Sequence, residues 1–122
     1  MDPKLGPLKK WKLIRYRDKS ESMRSIIQGS EADLVFLPEG RLAGSGGCNR
    51  FIASFESSGH ILAIGPIGTT LMYCDDPPGL MAQESDYLSR LQSSASYEIE
   101  GEKLKFFDDE GHLLLEFILS CE

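Results

Sequence analysis

Between Gly46 and Cys74 the chain reads GGCNRFIASFESSGHILAIGPIGTTLMYC, and this stretch constrains the fold more than any other. It opens on two adjacent glycines, residues that permit a tight corner or a close backbone approach. Phe51, Ala53 and Phe55 then alternate with Arg50, Ile52 and Ser54, the period-two pattern of a half-buried strand. Glu56-Ser57-Ser58-Gly59 is a hairpin turn, and His60 to Ile64 returns antiparallel. Gly65-Pro66 ends that strand, and Ile67 to Tyr73 reads as a further extended segment. The rest of the chain reads as strands and a helix laid against this piece.

Residues 1–8 form a Pro/Gly-containing lead-in, and a single domain is expected over 9–119. Trp11 to Tyr16 has the pattern of a first strand, with Trp11 and Leu13 on one face and Ile14 and Tyr16 on the other. Met23 to Gln28 is weakly strand-like. Asp33 to Leu37 is a strand-length apolar run, Pro38-Glu39-Gly40 a turn, and Arg41-Leu42-Ala43 the return. Asp75-Asp76-Pro77-Pro78 signals a helix start, with an Asp as cap. The helix is predicted from about Gly79 to Gln92, with Leu80, Met81, Tyr87, Leu88 and Leu91 as its apolar stripe. Ser96–Glu100, Lys103–Phe107 and His112–Leu119 follow as a meander. The pattern predicts a mainly β, β-rich α+β domain. Seven to eight short antiparallel strands form a curled sheet or small barrel, with one helix packed across it.

The charge balance excludes one class of function. Thirteen Lys and Arg against nineteen Asp and Glu give a net charge of −6, which argues against nucleic-acid binding driven by phosphate neutralisation. The basic residues crowd toward the N-terminus, where cross-strand pairing with an acidic strand is the expected use. No apolar run approaches the ~18 residues of a membrane span. The first residues carry no apolar signal segment, so a cytoplasmic location is expected as the sequence stands, and an envelope or periplasmic one if a leader precedes it.

Cys48 and Cys74 are the first candidate site residues. A disulfide between them would close a long loop and stabilise by about 3 kcal/mol in the chain-entropy model. In a cytosolic chain, however, two small buried thiols are favoured. Glu84 lies on the apolar helix stripe between Leu80 and Leu88, where a carboxylate needs a partner. Arg50 or backbone N–H groups at the Cys-Asn-Arg corner are expected to supply it. Asn49, after two glycines, is expected to build the turn. His60 and His112 each follow a turn glycine with no second His or Cys two or four residues on. Tyr16, Tyr73 and Phe107 are candidate exposed aromatics. No zinc spacing, phosphate loop, Gly-x-Ser-x-Gly or Cys-x-x-Cys is present, so no catalytic residue, metal or cofactor is expected.

Three blocks in order, Gly46-Gly47-Cys48-Asn49-Arg50-Phe51, Thr70-Leu71-Met72-Tyr73-Cys74 and Met81-Ala82-Gln83-Glu84 with Tyr87 and Leu91, resemble the META/HslJ domain family. The C-terminal pattern of Tyr97 to Ile99, Gly101, Leu104, Gly111, Leu115 and Phe117 extends the resemblance over Trp11 to Phe117. It makes Gly47, Asn49, Arg50, Phe51, Thr70 and Glu84 motif residues. The resemblance implies a compact antiparallel β structure with a helix and supplies no active site. The family includes bacterial heat-inducible proteins linked to novobiocin resistance, often lipoproteins, and a trypanosomatid virulence-associated protein.

The expected function is therefore a non-catalytic, stress-associated module that binds a protein or a small hydrophobic ligand, as a monomer or weak dimer. The alternative is a thiol-based redox protein using Cys48 and Cys74.

Overall fold

The computed structural model describes residues 9–120, so the expected lead-in 1–8 and Cys121 lie outside the described residues. In chain order the elements are β1 (Lys10–Arg17), β2 (Met23–Ser25), β3 (Asp33–Leu37), β4 (Arg41–Ser45), β5 (Arg50–Ser58), β6 (Ile61–Ile64) and β7 (Gly68–Thr69). Then come α1 (Leu80–Gln92), β8 (Ser96–Glu100), β9 (Lys103–Phe107) and β10 (Leu113–Leu119). Eight strands close into an antiparallel barrel in the order β1-β3-β4-β5-β6-β8-β9-β10, with β10 pairing back onto β1. Closure satisfies the edges that an open sheet would expose. Two short strands are added outside that circuit, β2 on β1 and β7 on β5. The fold is mainly β, with a single helix among the described residues, as the sequence pattern implies.

Alternation along each strand sends the large apolar side chains inward. Trp11, Leu34, Phe36, Phe51, Phe106 and Phe117 are almost completely buried. Their rings pack edge-on, Phe36 to Phe55 at 4.9 Å and Phe106 to Phe117 at 5.2 Å between centroids. Fully burying one such side chain stabilises by about 1.5–3 kcal/mol. β1 departs from the simple alternation expected. Its register on β10 shifts between Leu13 and Arg15, and this bulge turns Tyr16 to the same side as Trp11 and Leu13. Tyr16 is therefore buried, not an exposed aromatic.

The cross-strand charge pairing expected for the N-terminal strand is present. Arg15 on β1 lies opposite Glu116 on β10, 3.4 Å from its carboxylate, and Lys10 lies 3.8 Å from Asp33 on β3.

The three hairpin turns after β3, β5 and β8 lie at one end of the barrel. At the other end α1 lies across the strand ends. The Tyr87 hydroxyl donates to the Asp33 carbonyl at 2.9 Å, where β3 begins. The Arg90 guanidinium donates to the carbonyls of Arg17 (3.1 Å) and Asp18 (2.7 Å), where β1 ends. Gln83 accepts from the Ile27 N–H at 2.7 Å and donates to the Ser30 hydroxyl at 3.0 Å. Gln92 Nε2 donates to the carbonyls of Ile64 and Gly65 at 3.0 and 2.8 Å, where β6 has run past β8. β6 and β8 share one register pair, Ile61 with Ser96, so Gln92 covers backbone left open beyond that short seam.

Two helix-side expectations are corrected. Gly79, with φ of 87°, is the N-cap, and no side chain caps the helix. Asp75 and Asp76 precede the cap in sequence, and neither side chain bonds to the first N–H groups of the helix. The fully buried helix face is Leu80, Gln83, Glu84, Tyr87 and Leu91, with Leu88 half-buried against the core and Met81 half-buried, so Gln83 is the residue the expected stripe lacked.

Candidate functional site

Four sequence elements meet at the helix-covered end: the glycine corner before β5, the start of β5, the segment after β7, and the first turns of α1. The glycines set the approach. A Cβ on Gly46 would lie 2.5 Å from Glu84 Cγ, and one on Gly47 would lie 2.9 Å from Leu80 Cδ1. Gly47 also has φ of 122°, which other residues rarely adopt. The bare backbone lets α1 settle against the corner, so that Glu84, 5% exposed, reaches two successive backbone N–H groups. Its Oε1 accepts from Cys48 (2.9 Å) and Asn49 (2.6 Å), and its Oε2 accepts from Asn49 Nδ2 (2.7 Å). Three donors satisfy a buried carboxylate without a cation.

Asn49, 4% exposed, relays this anchor to the segment after β7. Its Oδ1 accepts from the Thr70 hydroxyl (2.8 Å) and the Met72 N–H (2.6 Å), and its Nδ2 also donates to the Met72 carbonyl (3.0 Å). Thr70 accepts from the Arg50 N–H at 3.2 Å. Asn49 thus builds more than a turn: its side chain stands in for a strand partner to a segment that has none. The extended segment expected over Ile67 to Tyr73 is a strand only at Gly68–Thr69, and beyond it this side chain takes over.

The Cys48 and Cys74 sulfurs are bonded. This corrects the expectation of two free thiols. The Glu84 and Asn49 contacts bring the two cysteines to a Cα separation of 5.9 Å, within the range a disulfide spans.

What this framework holds is exposed and apolar. Leu71 is 95%, Met72 54% and Tyr73 79% exposed, on a loop pinned by Asn49 at Thr70 and Met72 and by the disulfide at Cys74. Ile52, 67% exposed, lies on the neighbouring outer face of β5. The sequence did carry a signal for this loop: an apolar Leu-Met-Tyr run between Thr70 and Cys74, followed by Asp-Asp-Pro-Pro with no strand to return to.

Arg50 does not touch Glu84. Its side chain points outward from β5 and makes no hydrogen bond or ion pair with a described residue. Phe51 goes into the core, edge-on to Tyr87 at 5.8 Å. Phe107 is half-buried.

His112, Glu110 and Asp108 bring three potential ligand atoms within 4.8 Å on the turn before β10. Asp108 Oδ1 already accepts from the Glu110 and His112 N–H groups at 2.9 and 2.8 Å, and Oδ2 faces His112 Nδ1 at 3.1 Å. Burial presses the Asp108 carboxyl upward, but those backbone bonds and the His112 ring hold it below its usual value. The grouping caps a turn. His60 lies on the hairpin between β5 and β6, its Nδ1 3.2 Å from the Tyr97 carbonyl.

Known proteins share this architecture. A protein from Burkholderia xenovorans, solved by NMR, superposes with a TM-score of 0.74 at 23% identity, over 98% of this chain and 86% of its own. A second NMR structure gives 0.71 at 18% identity, over 98% and 95% of the two chains. The crystal structure of a DUF4847 family protein from Bacteroides vulgatus gives 0.68 at 11%, over 98% of each. At these identities the likeness is one of fold. No curated protein matches the sequence. The profile of the META domain matches residues 7–119, nearly the whole chain, and the chain belongs to the META domain family.

Proposed function

We propose that the chain is a non-catalytic binding module whose contact surface is the braced loop Leu71–Tyr73. One observation carries this reading: three apolar side chains are held out in solvent by a disulfide and a four-bond Asn49 network. Exposing apolar surface forgoes hydrophobic stabilisation, and ordering the loop beforehand lowers the entropy lost on binding. Tyrosine and methionine are enriched in protein–protein contacts, and tyrosine is among the residues that carry most of their binding energy. The adjoining Asp75 and Asp76, with the net charge of −6, favour a protein partner over an anionic lipid surface. Side chains such as Trp11, Phe36 and Phe117 fill the barrel interior, which favours contact at the outer surface over a small ligand held inside.

The disulfide supports an oxidising compartment, the envelope or periplasm, over the cytoplasm. The stress association rests on the family resemblance alone, and a transcript that does not rise after a heat shift of the source cells counts against it.

A photo-crosslinking amino acid placed at Leu71 in source cells tests the binding reading. A protein adduct of discrete mass is expected, lost when Cys48→Ser and Cys74→Ser release the loop. No adduct, or one indifferent to the disulfide, overturns it.

The second reading is thiol-based redox work by Cys48 and Cys74, favoured by the half-buried position of both residues. It requires the protein to catalyse reduction of insulin disulfides by dithiothreitol. A rate equal to that of dithiothreitol alone ends it.

A further inference from the structure

Arg50 is the motif side chain that the Glu84–Asn49 network leaves unused, and its surroundings give it a role. The outward residues of β3, β4 and β5 stand in register. Leu37, Arg41 and Ser54 form one row, Val35, Ala43 and Ile52 the next, and Asp33, Ser45 and Arg50 the third. Gly68 of β7 continues the middle row beyond Ile52 and adds backbone without a side chain. Two adjoining hollows of about 410 and 510 Å³ lie along this face, both lined by Ile52 and Gly68. Arg41 lines the first and Arg50 the second. Neither guanidinium makes a hydrogen bond or ion pair with a described residue. Asp33, the acidic member of the three rows, is already 3.8 Å from Lys10 and accepts the Ser45 N–H at 2.9 Å.

The face is therefore a narrow apolar floor with a free cation at each end, on a chain whose net charge is −6. We propose that it is a docking groove for an extended acidic peptide segment of a partner protein. This inference rests on the binding-module reading and names the chemistry of the partner. Spacing decides the pattern. Arg41 and Ser45, which is paired to Arg50, are four residues apart on β4, about 13 Å at ~3.3 Å per residue. An extended peptide covers the same length in four residues, and its residues i, i+2 and i+4 share one side. Carboxylates at i and i+4 meet Arg50 and Arg41, while an apolar residue at i+2 lies over Ala43 and Ile52. Guanidinium forks suit carboxylates, and the local positive charge steers an acidic segment to the face.

The test uses labelled synthetic peptides on the whole chain: Ser-Glu-Thr-Leu-Thr-Glu-Ser, its counterpart with Lys for Glu, and a version with the two Glu adjacent. Only the first is expected to bind. Its affinity should fall with added salt, and by about tenfold or more in Arg41→Glu and in Arg50→Glu, the loss of one charge-assisted contact. The Arg41→Glu/Arg50→Glu double variant should bind the Lys peptide instead. Both arginines are exposed at strand positions, and thermal melts confirm that the variants fold. No peptide binding, or binding unchanged by the arginine variants, overturns the inference. Arginine-dependent binding to phosphatidylglycerol vesicles without peptide binding overturns it in favour of lipid. Arginine-dependent self-association on sedimentation overturns it in favour of a second copy. Leu71→Ser and Tyr73→Ser separate the two proposals. Peptide binding lost only in those variants overturns the groove and leaves the loop reading standing, while a failed crosslink at Leu71 with intact groove binding does the reverse.

Discussion

Asn49 and Glu84 meet twice, through the Asn49 N–H to Glu84 Oε1 at 2.6 Å and Asn49 Nδ2 to Oε2 at 2.7 Å. Both oxygens act as acceptors, so only a carboxylate serves both. Glu84→Gln keeps one acceptor and sets its amide NH₂ against a donor, whichever way it flips. At least one buried donor is then unsatisfied, at about 1–3 kcal/mol. Urea unfolding should show a lower midpoint at unchanged slope. An unchanged midpoint would refute the tie between helix and corner.

Gly46→Ala should injure the same contact from the other side. The new Cβ would lie 2.5 Å from Glu84 Cγ and 2.8 Å from its Oε1, at a cost of about 1–3 kcal/mol for overpacking. Because the clash is with Glu84, the two effects are coupled. Gly46→Ala should therefore cost less in a Glu84→Ala background than in the native chain. Strict additivity in a double-mutant cycle would place the strain elsewhere.

The sequence is most legible where period and punctuation agree. Phe51 and Phe55 alternate with outward-facing neighbours, and Gly59, Gly101 and Gly111 mark turns with positive φ, so these strands and hairpins can be read directly. Legibility fails where a single long-range contact decides the outcome. Tyr16 sits on the wrong parity for burial, and only the bulge against β10 turns it inward. Glu84 visibly needs partners, and of the two kinds expected at the Cys-Asn-Arg corner it takes the backbone N–H groups of Cys48 and Asn49, while Arg50 turns outward. The Asn49 amide, which joins them, leaves no such signature in the sequence. The disulfide state turns on compartment as well as geometry, and neither the spacing of Cys48 and Cys74 nor their residue type fixes the compartment.

The disulfide predicts a thiol count. Of three cysteines, two are bonded to each other, so denatured protein without reductant should titrate a single thiol, Cys121, and three after reduction. Cys48→Ser/Cys74→Ser should lower stability by about 3–4 kcal/mol for a crosslink spanning 26 residues. In the chain-entropy model the loss falls on global unfolding, so amide exchange at Leu104 in the barrel should accelerate by the matching factor, on the order of a few hundredfold. Unchanged exchange at Leu104 would mean that the crosslink braces the Leu71 to Tyr73 loop alone.

Tyr87 sets an alkaline limit. Burial, with the Asp33 carboxylate adding to it, raises its phenol well above the ordinary value of 10.0, and its hydroxyl is committed to the Asp33 carbonyl. A group whose folded pKa is raised contributes stability that is complete below the unfolded pKa and lost as pH rises beyond it. Above about pH 10 the unfolded chain releases this proton and the folded chain keeps it, so stability should fall by up to about 1.4 kcal/mol per pH unit from this group. Tyr87→Phe removes the titration and the hydrogen bond together. It should be less stable at neutral pH by about 1 kcal/mol, and its loss between pH 10 and 11 should be shallower than that of the native chain. Parallel pH profiles for the two proteins would show that Tyr87 is free to ionise in the folded state, and that α1 does not seal this end of the barrel.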